Sequence, residues 1–86
     1  SFALQQNYPN PFNPKTIINY QLRITNLVKL TVYDVLGHEV ATLVNEKQSA
    51  GTYQVEFDGS GFASGVYFYK IVTEGFTDVK RMMLLK

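Results

Sequence analysis

Apolar side chains recur at every second position in one segment of this chain after another, and this period restricts the chain to β-structure. In a strand, successive side chains point to opposite faces, whereas an amphipathic helix needs apolar residues three and four positions apart. Segment 51–57 shows the alternation most clearly, because Tyr53, Val55 and Phe57 are separated by polar residues. Convincing helical spacing occurs nowhere in the sequence. The pattern therefore predicts an all-β fold.

The strand segments are separated by short turn sequences. Asp34 and Gly37 fit a bulged hairpin, because Asp favours the start of a type I turn and Gly accepts a positive φ. Phe62 follows a Gly-rich turn at 58–61 and is expected to fold back as a plug. Strands are predicted at 16–22, 28–33, 39–44, 51–57, 65–73 and 76–85, with 45–50 as a polar loop. With an N-terminal arm able to pair as well, these segments predict an immunoglobulin-like antiparallel β-sandwich of about seven strands.

Residues 1–15 form an irregular arm. Pro9, Pro11 and Pro14 fall within six positions and exclude a helix there. The arm is nevertheless too apolar for a free tail, so we expect it to lie across the sandwich. Because 86 residues suffice for one core only, we predict a single domain over 1–86, with the arm at 1–15 and the strands at 16–86. Because the chain opens with Ser1 rather than Met, we expect it to be part of a longer protein.

The composition argues against catalysis and against nucleic-acid binding. Eight Lys and Arg residues face seven Asp and Glu residues, which is too balanced for a basic nucleic-acid-binding surface. His38 is the only histidine, and its place beside a predicted turn indicates the surface. Cysteine is absent and the carboxylates are scattered, so we predict no metal, no cofactor and no enzymatic activity, with 58–61 as a plain turn rather than a calcium site. No apolar run approaches the roughly 20 residues of a membrane span.

A Gly-x-Tyr sequence begins the strand at 65–73. Sandwiches of the immunoglobulin type often start a central strand this way, and the Tyr hydroxyl then bonds to an upstream backbone group. By this analogy Tyr67, Tyr69 and Ile71 point into the core, and the hydroxyl of Tyr69 must find a partner or reach the rim.

The same assignment leaves three apolar side chains on the outward face of that strand, namely Val66, Phe68 and Val72. A sandwich normally carries polar residues there. We expect the arm or Phe76 to cover them, and the alternative is an exposed apolar patch used for docking.

The segment after Val79 is also apolar on both faces, because Met82 to Leu85 follow a charged pair. Such a strand is either well packed or a recognisable handle. Lys80, Arg81 and Lys86 would limit unwanted edge pairing in the first case and would form a basic label in the second.

Five segments in order resemble one known family. They are LQQNYPNPFNP at 4–14, VYDVLGHEVA at 32–41, AGTY at 50–53, FASGVYFY at 62–69 and KRMMLLK at 80–86. The chain is similar to the type A C-terminal sorting domain of the type IX secretion system, also called the Por secretion system sorting domain. Its fold is akin to the immunoglobulin-like domain of flagellar hook-capping proteins. The resemblance covers the chain from about Leu4 onward.

The resemblance implies a non-catalytic sorting signal for an upstream cargo. Its implied partners are outer-membrane translocation and shuttle proteins and a sortase-like processing enzyme, without nucleic acid and without membrane insertion. The implied location is outside the cell or on its surface, after transit through the periplasm. The family's recognition elements correspond to Asn13, Pro14, Gly65, Tyr67, Lys80 and Lys86.

Two other functions are consistent with the same residues. An accessory module for carbohydrate or protein would need a solvent-facing row of aromatic side chains, for which Tyr33, Phe68 and Phe76 are the candidates. A structural subunit would instead assemble through its sheet edges.

Overall fold

The structure, a computed structural model, describes residues 3–86 as two antiparallel sheets packed face to face. The first two residues of the predicted arm, Ser1 and Phe2, lie outside the described residues. The strands are β1 (Ala3–Leu4), β2 (Lys15–Leu22), β3 (Asn26–Tyr33), β4 (Glu39–Gln48), β5 (Gly51–Asp58), β6 (Gly65–Thr73) and β7 (Phe76–Leu84). The described chain contains no helix, so the predicted all-β, immunoglobulin-like sandwich is confirmed.

The smaller sheet has the order β1-β2-β5 and the larger one the order β4-β3-β6-β7. Alternate side chains of both sheets meet in one core, because the period of two sends every second residue inward. Tyr20, Leu30, Tyr69 and Ile71 are among the side chains with at most 1% of their surface exposed. The core thus contains the inward residues of β6 that the sequence predicts.

The turns form as their sequences indicate. The amide of Gly37 donates to the carbonyl of Asp34 at 3.0 Å, and the Asp34 carboxylate accepts from the amides of Leu36 and His38. Gly37 has a φ of 85°, which only glycine adopts readily. Phe62 stacks on Phe57 with 5.6 Å between ring centroids, so the predicted plug is confirmed.

One prediction about the strands is wrong. Residues 45–48 continue β4 instead of forming a loop, and only Ser49 and Ala50 separate β4 from β5. The backbone of these four polar residues pairs with Asn26 to Lys29 of β3. Because β4 is an edge strand, its side chains here need not be apolar to form a ladder.

Candidate recognition site

The arm lies along the outer edge of β7. Phe12 forms a parallel bridge to Leu84: its amide donates to the Met83 carbonyl at 2.9 Å, and its carbonyl accepts from the Leu85 amide at 3.0 Å. The Asn10 side chain accepts from the Met83 amide, and the Gln6 side chain donates to the carbonyl of Arg81. The arm thus satisfies edge groups of β7 that would otherwise face solvent or a foreign strand.

Tyr69 fastens the arm from the core side. Its hydroxyl accepts a hydrogen bond from the Asn7 amide at 2.7 Å and donates one to the Gln5 carbonyl at 2.6 Å. Burial raises the pKa of Tyr69 to about 12, the Asn7 hydrogen bond opposes this increase, and the charge of Asp78 adds to it. The hydroxyl is therefore neutral at physiological pH and is available both to donate and to accept.

A buried polar cluster completes the arm's attachment. The Asn7 side chain donates to the Thr16 hydroxyl at 2.9 Å and to the Pro9 carbonyl at 3.2 Å. The Thr16 hydroxyl donates to the same carbonyl at 2.8 Å. Asn7 and Thr16 are almost fully buried, so these bonds replace the water that both side chains lose on folding.

The start of β2 and the end of β7 meet at one end of the sandwich. The Pro14 carbonyl accepts from the Gly59 amide at 2.7 Å. The Lys86 ammonium donates to the Ser60 carbonyl at 2.7 Å, and its backbone amide donates to the Ser64 hydroxyl at 3.0 Å. This end of the molecule therefore presents a basic side chain beside a Pro-containing turn.

Four of the six residues implicated by resemblance lie together, and Lys80 lies apart from them. Pro14 and Lys86 lie at the end just described, as does exposed Asn13, and Gly65 pairs there with Leu84. Lys80 is distant, because six strand positions separate it from Lys86, or about 20 Å. Its ammonium lies 4.0 Å from the Asp78 carboxylate.

Tyr67 is buried and anchors the start of β6. Its side chain is 7% exposed, and its hydroxyl donates to the Ala63 carbonyl at 2.7 Å. The predicted bond from the Gly-x-Tyr sequence to an upstream backbone group is thus confirmed. A partner cannot touch most of this ring in the folded domain, so any contribution of Tyr67 to recognition passes through the shape of the loop that it holds.

The expected cover over the outward face of β6 is absent from residues 3–86, and that prediction is wrong. The arm lies on the β7 edge, and Phe76 pairs with Thr73 and packs against the core. Val72 is 38% exposed, while Val66 and Phe68 are partly exposed. The arm reaches the edge instead because its backbone finds hydrogen-bond partners there, which the outer face of a sheet does not offer.

The same geometry separates the three aromatic side chains considered for a carbohydrate-binding row. Tyr33 and Phe68 are cross-strand neighbours on the outer face of the larger sheet, whereas Phe76 lies on the core side. A flat row of three aromatic rings is therefore not formed.

The carboxylates of Asp34 and Asp58 accept hydrogen bonds within their own turns. Hydrogen bonds from the amides of His38 and Leu36 lower the pKa of Asp34, and bonds from Ser60 lower that of Asp58. His38 is exposed and lies 3.4 Å from Asp34. Within residues 3–86, no three His, Asp or Glu side chains converge as metal ligands. The described chain also holds no helix long and apolar enough to cross a membrane.

The described residues form a β-sandwich in which the arm already occupies the outer edge of β7. The sequence matches the family of secretion system C-terminal sorting domains over residues 6–85, and the chain belongs to this family of the type IX secretion system. Domains of this family act as sorting signals, are generally non-catalytic and belong to exported proteins that are secreted or attached to the surface. No curated protein matches the chain.

Sequence reasoning missed the contacts that attach the arm. Gln6 and Asn10 were not singled out, although both bond to β7. Asn7 carried no signal beyond its place in the resembling segment. Contacts from a side chain to a backbone group some 70 residues away leave no spacing pattern, so the family resemblance was the only available indication.

Proposed function

We propose that this chain is a single domain at the end of a longer secreted protein and acts as a non-catalytic export address. Outer-membrane translocation and shuttle proteins recognise it after the cargo has crossed into the periplasm. A sortase-like enzyme then processes the exported protein, and the cargo is attached to the cell surface or released. The observation that carries this proposal is the family match over 6–85, which includes most of the arm and all of β7.

The structure supports recognition of a preformed surface. The arm, β7 and the 58–64 region are joined by hydrogen bonds, so Asn13, Pro14 and Lys86 are held in a fixed relation. Such preorganisation lowers the entropy lost on binding. Gly65 and Tyr67 support this end from within, and Lys80 offers a second basic contact further along β7.

No comparable observation supports the two alternative functions, an accessory binding module and a structural subunit. A carbohydrate module would lack one member of its aromatic row, because Phe76 packs toward the core. Assembly through the β7 edge would first require removal of the arm, which already pairs with Leu84 and Leu85, so a structural subunit would have to use another edge, such as β4 or β5.

The test is export of a reporter. We expect a periplasm-targeted reporter fused to residues 1–86 to leave a host that has a type IX system and to stay in the periplasm of the same host without it. The double variant Lys80→Ala/Lys86→Ala should reduce export while the domain stays folded, because both side chains are at least partly exposed. Lys15→Ala and Lys47→Ala are matched controls on β2 and β4.

Retention of the unmodified fusion in the competent host would contradict the proposed function. Normal export of the double variant would remove Lys80 and Lys86 from the recognition site without affecting the rest of the proposal.

A further inference from the structure

The two outer faces of the sandwich differ in chemistry. On the smaller sheet, the outward positions of β2 and β5 are mostly polar, and Lys15 lies 3.9 Å from Glu56. On the larger sheet, Thr31 and Thr77 occupy two outward positions, but most outward positions of β3, β6 and β7 are occupied by aromatic, aliphatic and cationic side chains. They include Tyr33, Val66, Phe68, Lys70, Val72, Val79, Arg81 and Met83, and these residues define the apolar–basic face.

Neighbouring strands make this face continuous. Tyr33 is directly opposite Phe68, Phe68 is opposite Arg81, and Lys70 is opposite Val79. Val79 is 48% exposed. An open depression of about 260 Å³ lies between these side chains and is bounded by the 34–37 turn. The face therefore combines an apolar centre with a recess that can receive a side chain.

Two cations on this face, Lys70 and Arg81, take part in none of the ion pairs of the described residues, whereas Lys29 lies 3.6 Å from the Glu39 carboxylate. The ion pairs within residues 3–86 involve Lys15, Lys29, Lys80 and His38, and none involves Lys70 or Arg81. The Lys70 ammonium instead lies 5.4 Å from the centroid of the Tyr33 ring. Asp34 lines the recess, and its carboxylate stays negatively charged while it accepts hydrogen bonds from the amides of its own turn. The two positive charges of Lys70 and Arg81 therefore exceed the single negative charge of Asp34 at this recess.

We propose that the apolar–basic face binds an acidic protein surface, one in which apolar side chains are flanked by Asp or Glu. This inference rests on the proposed function, because the expected owner of that surface is a component of the export machinery. Charge complementarity selects the partner: carboxylates opposite Lys70 and Arg81 neutralise them, while an apolar side chain enters the recess beside Phe68 and Val79. A second copy of this chain does not fit, since a face-to-face pair would bring like charges together.

The test reverses the two charges without touching the core. In the reporter fusion, Lys70→Glu/Arg81→Glu should lower the export rate at least about tenfold, since two attractive contacts become repulsive. A second variant, Val79→Ser, should lower it several-fold by making the centre polar. Lys15→Glu, on the opposite face, should be exported like the unmodified chain. Thermal denaturation of the purified domains should give similar midpoints for the three variants and the unmodified chain.

The binding partner is then located by photo-crosslinking. A photoreactive residue at position 79 should yield a discrete protein adduct in the competent host, and one at position 17 on the other outer face should not. An acidic residue of the adduct protein, changed to Lys, should restore export of Lys70→Glu/Arg81→Glu.

The possible failures are distinguishable. If the unmodified fusion stays in the periplasm, the proposed function fails and this inference fails with it. If the unmodified fusion is exported and the double charge reversal is exported equally well, the inference alone is overturned. Co-flotation of the domain with anionic phospholipid vesicles, abolished by the charge reversal and without a protein adduct at position 79, would overturn it in favour of a membrane surface.

Discussion

Replacing Tyr69 by Phe tests how much one buried hydroxyl contributes to holding the arm. The substitution keeps the ring in the core and removes the acceptor for the Asn7 amide and the donor for the Gln5 carbonyl. Each lost bond is worth about 1 kcal/mol, and a buried amide without a partner costs a further 1–3 kcal/mol. Because Gln5 is exposed, its carbonyl can bond to water. We therefore expect the free energy of unfolding to fall by about 2–4 kcal/mol.

The measurement is denaturant unfolding followed by circular dichroism, with native-state hydrogen exchange of the arm. Exchange at Asn7 and Phe12 should accelerate more than exchange at Leu30 in β3, because the arm loosens before the sheets separate. Tyr8→Phe is the matched control. Because Tyr8 is 78% exposed, the free energy of unfolding of this variant should equal that of the parent. A Tyr69→Phe domain that is as stable as the Tyr8→Phe domain would refute the reasoning.

Three further predictions concern the same core. Tyr67→Ala should lower the free energy of unfolding by about 3–5 kcal/mol because its ring is buried, and a calorimetric melting temperature equal to that of the parent would contradict this. Gly59→Ala should cost about 1–3 kcal/mol, since its new Cβ would lie 2.9 Å from Leu84 Cδ2 and 3.2 Å from the Pro14 carbonyl oxygen. Gly61→Ala is the control: its new Cβ would have no neighbouring side chain or backbone segment within 4 Å, so this variant should unfold at the parent's denaturant midpoint. If both variants lose the same free energy of unfolding, the proposed clash at Gly59 is wrong. Because burial raises the pKa of Tyr69 from 10.0 to about 12, the unfolded chain ionises first. Stability should therefore be independent of this group below pH 10 and decline between pH 10 and 12, whereas Tyr69→Phe should lose that component of the decline.

Alternation alone predicted the strands whose inward side chains form the core. It succeeded for β2, β5 and β6 because one buried face imposes a period of two on the sequence. It failed for the second half of β4, because Asn45 to Gln48 pair with β3 through backbone groups and their side chains do not alternate between apolar and polar. Edge strands are held by hydrogen bonds that any residue except proline can make, so composition is a weak guide there.

The candidate site was less accessible to sequence reasoning than the fold. The analogy to immunoglobulin-like domains predicted the Tyr67 bond, because donor and acceptor lie four residues apart. The sequence led us to expect that the arm or Phe76 covers the outward face of β6, but the arm lies on the β7 edge, and the turn at 74–75 and the antiparallel register put Phe76 on the core side. A sequence pattern identifies which residues share a face of one strand. It does not specify which distant segment covers that face.

The bond between Gln6 and Arg81 joins residues 75 positions apart, and the one between Gln5 and Tyr69 spans 64. A growing chain emerges from the ribosome with its N-terminal residues first, so the backbone of Phe12 has no partner on β7 until the segment around Leu84 is available. Long-range pairing of this kind slows folding, since a large loop must close before any contact forms. Translation must therefore pass residue 85 before this domain can complete its native structure, and shorter nascent chains remain substrates for chaperones and proteases.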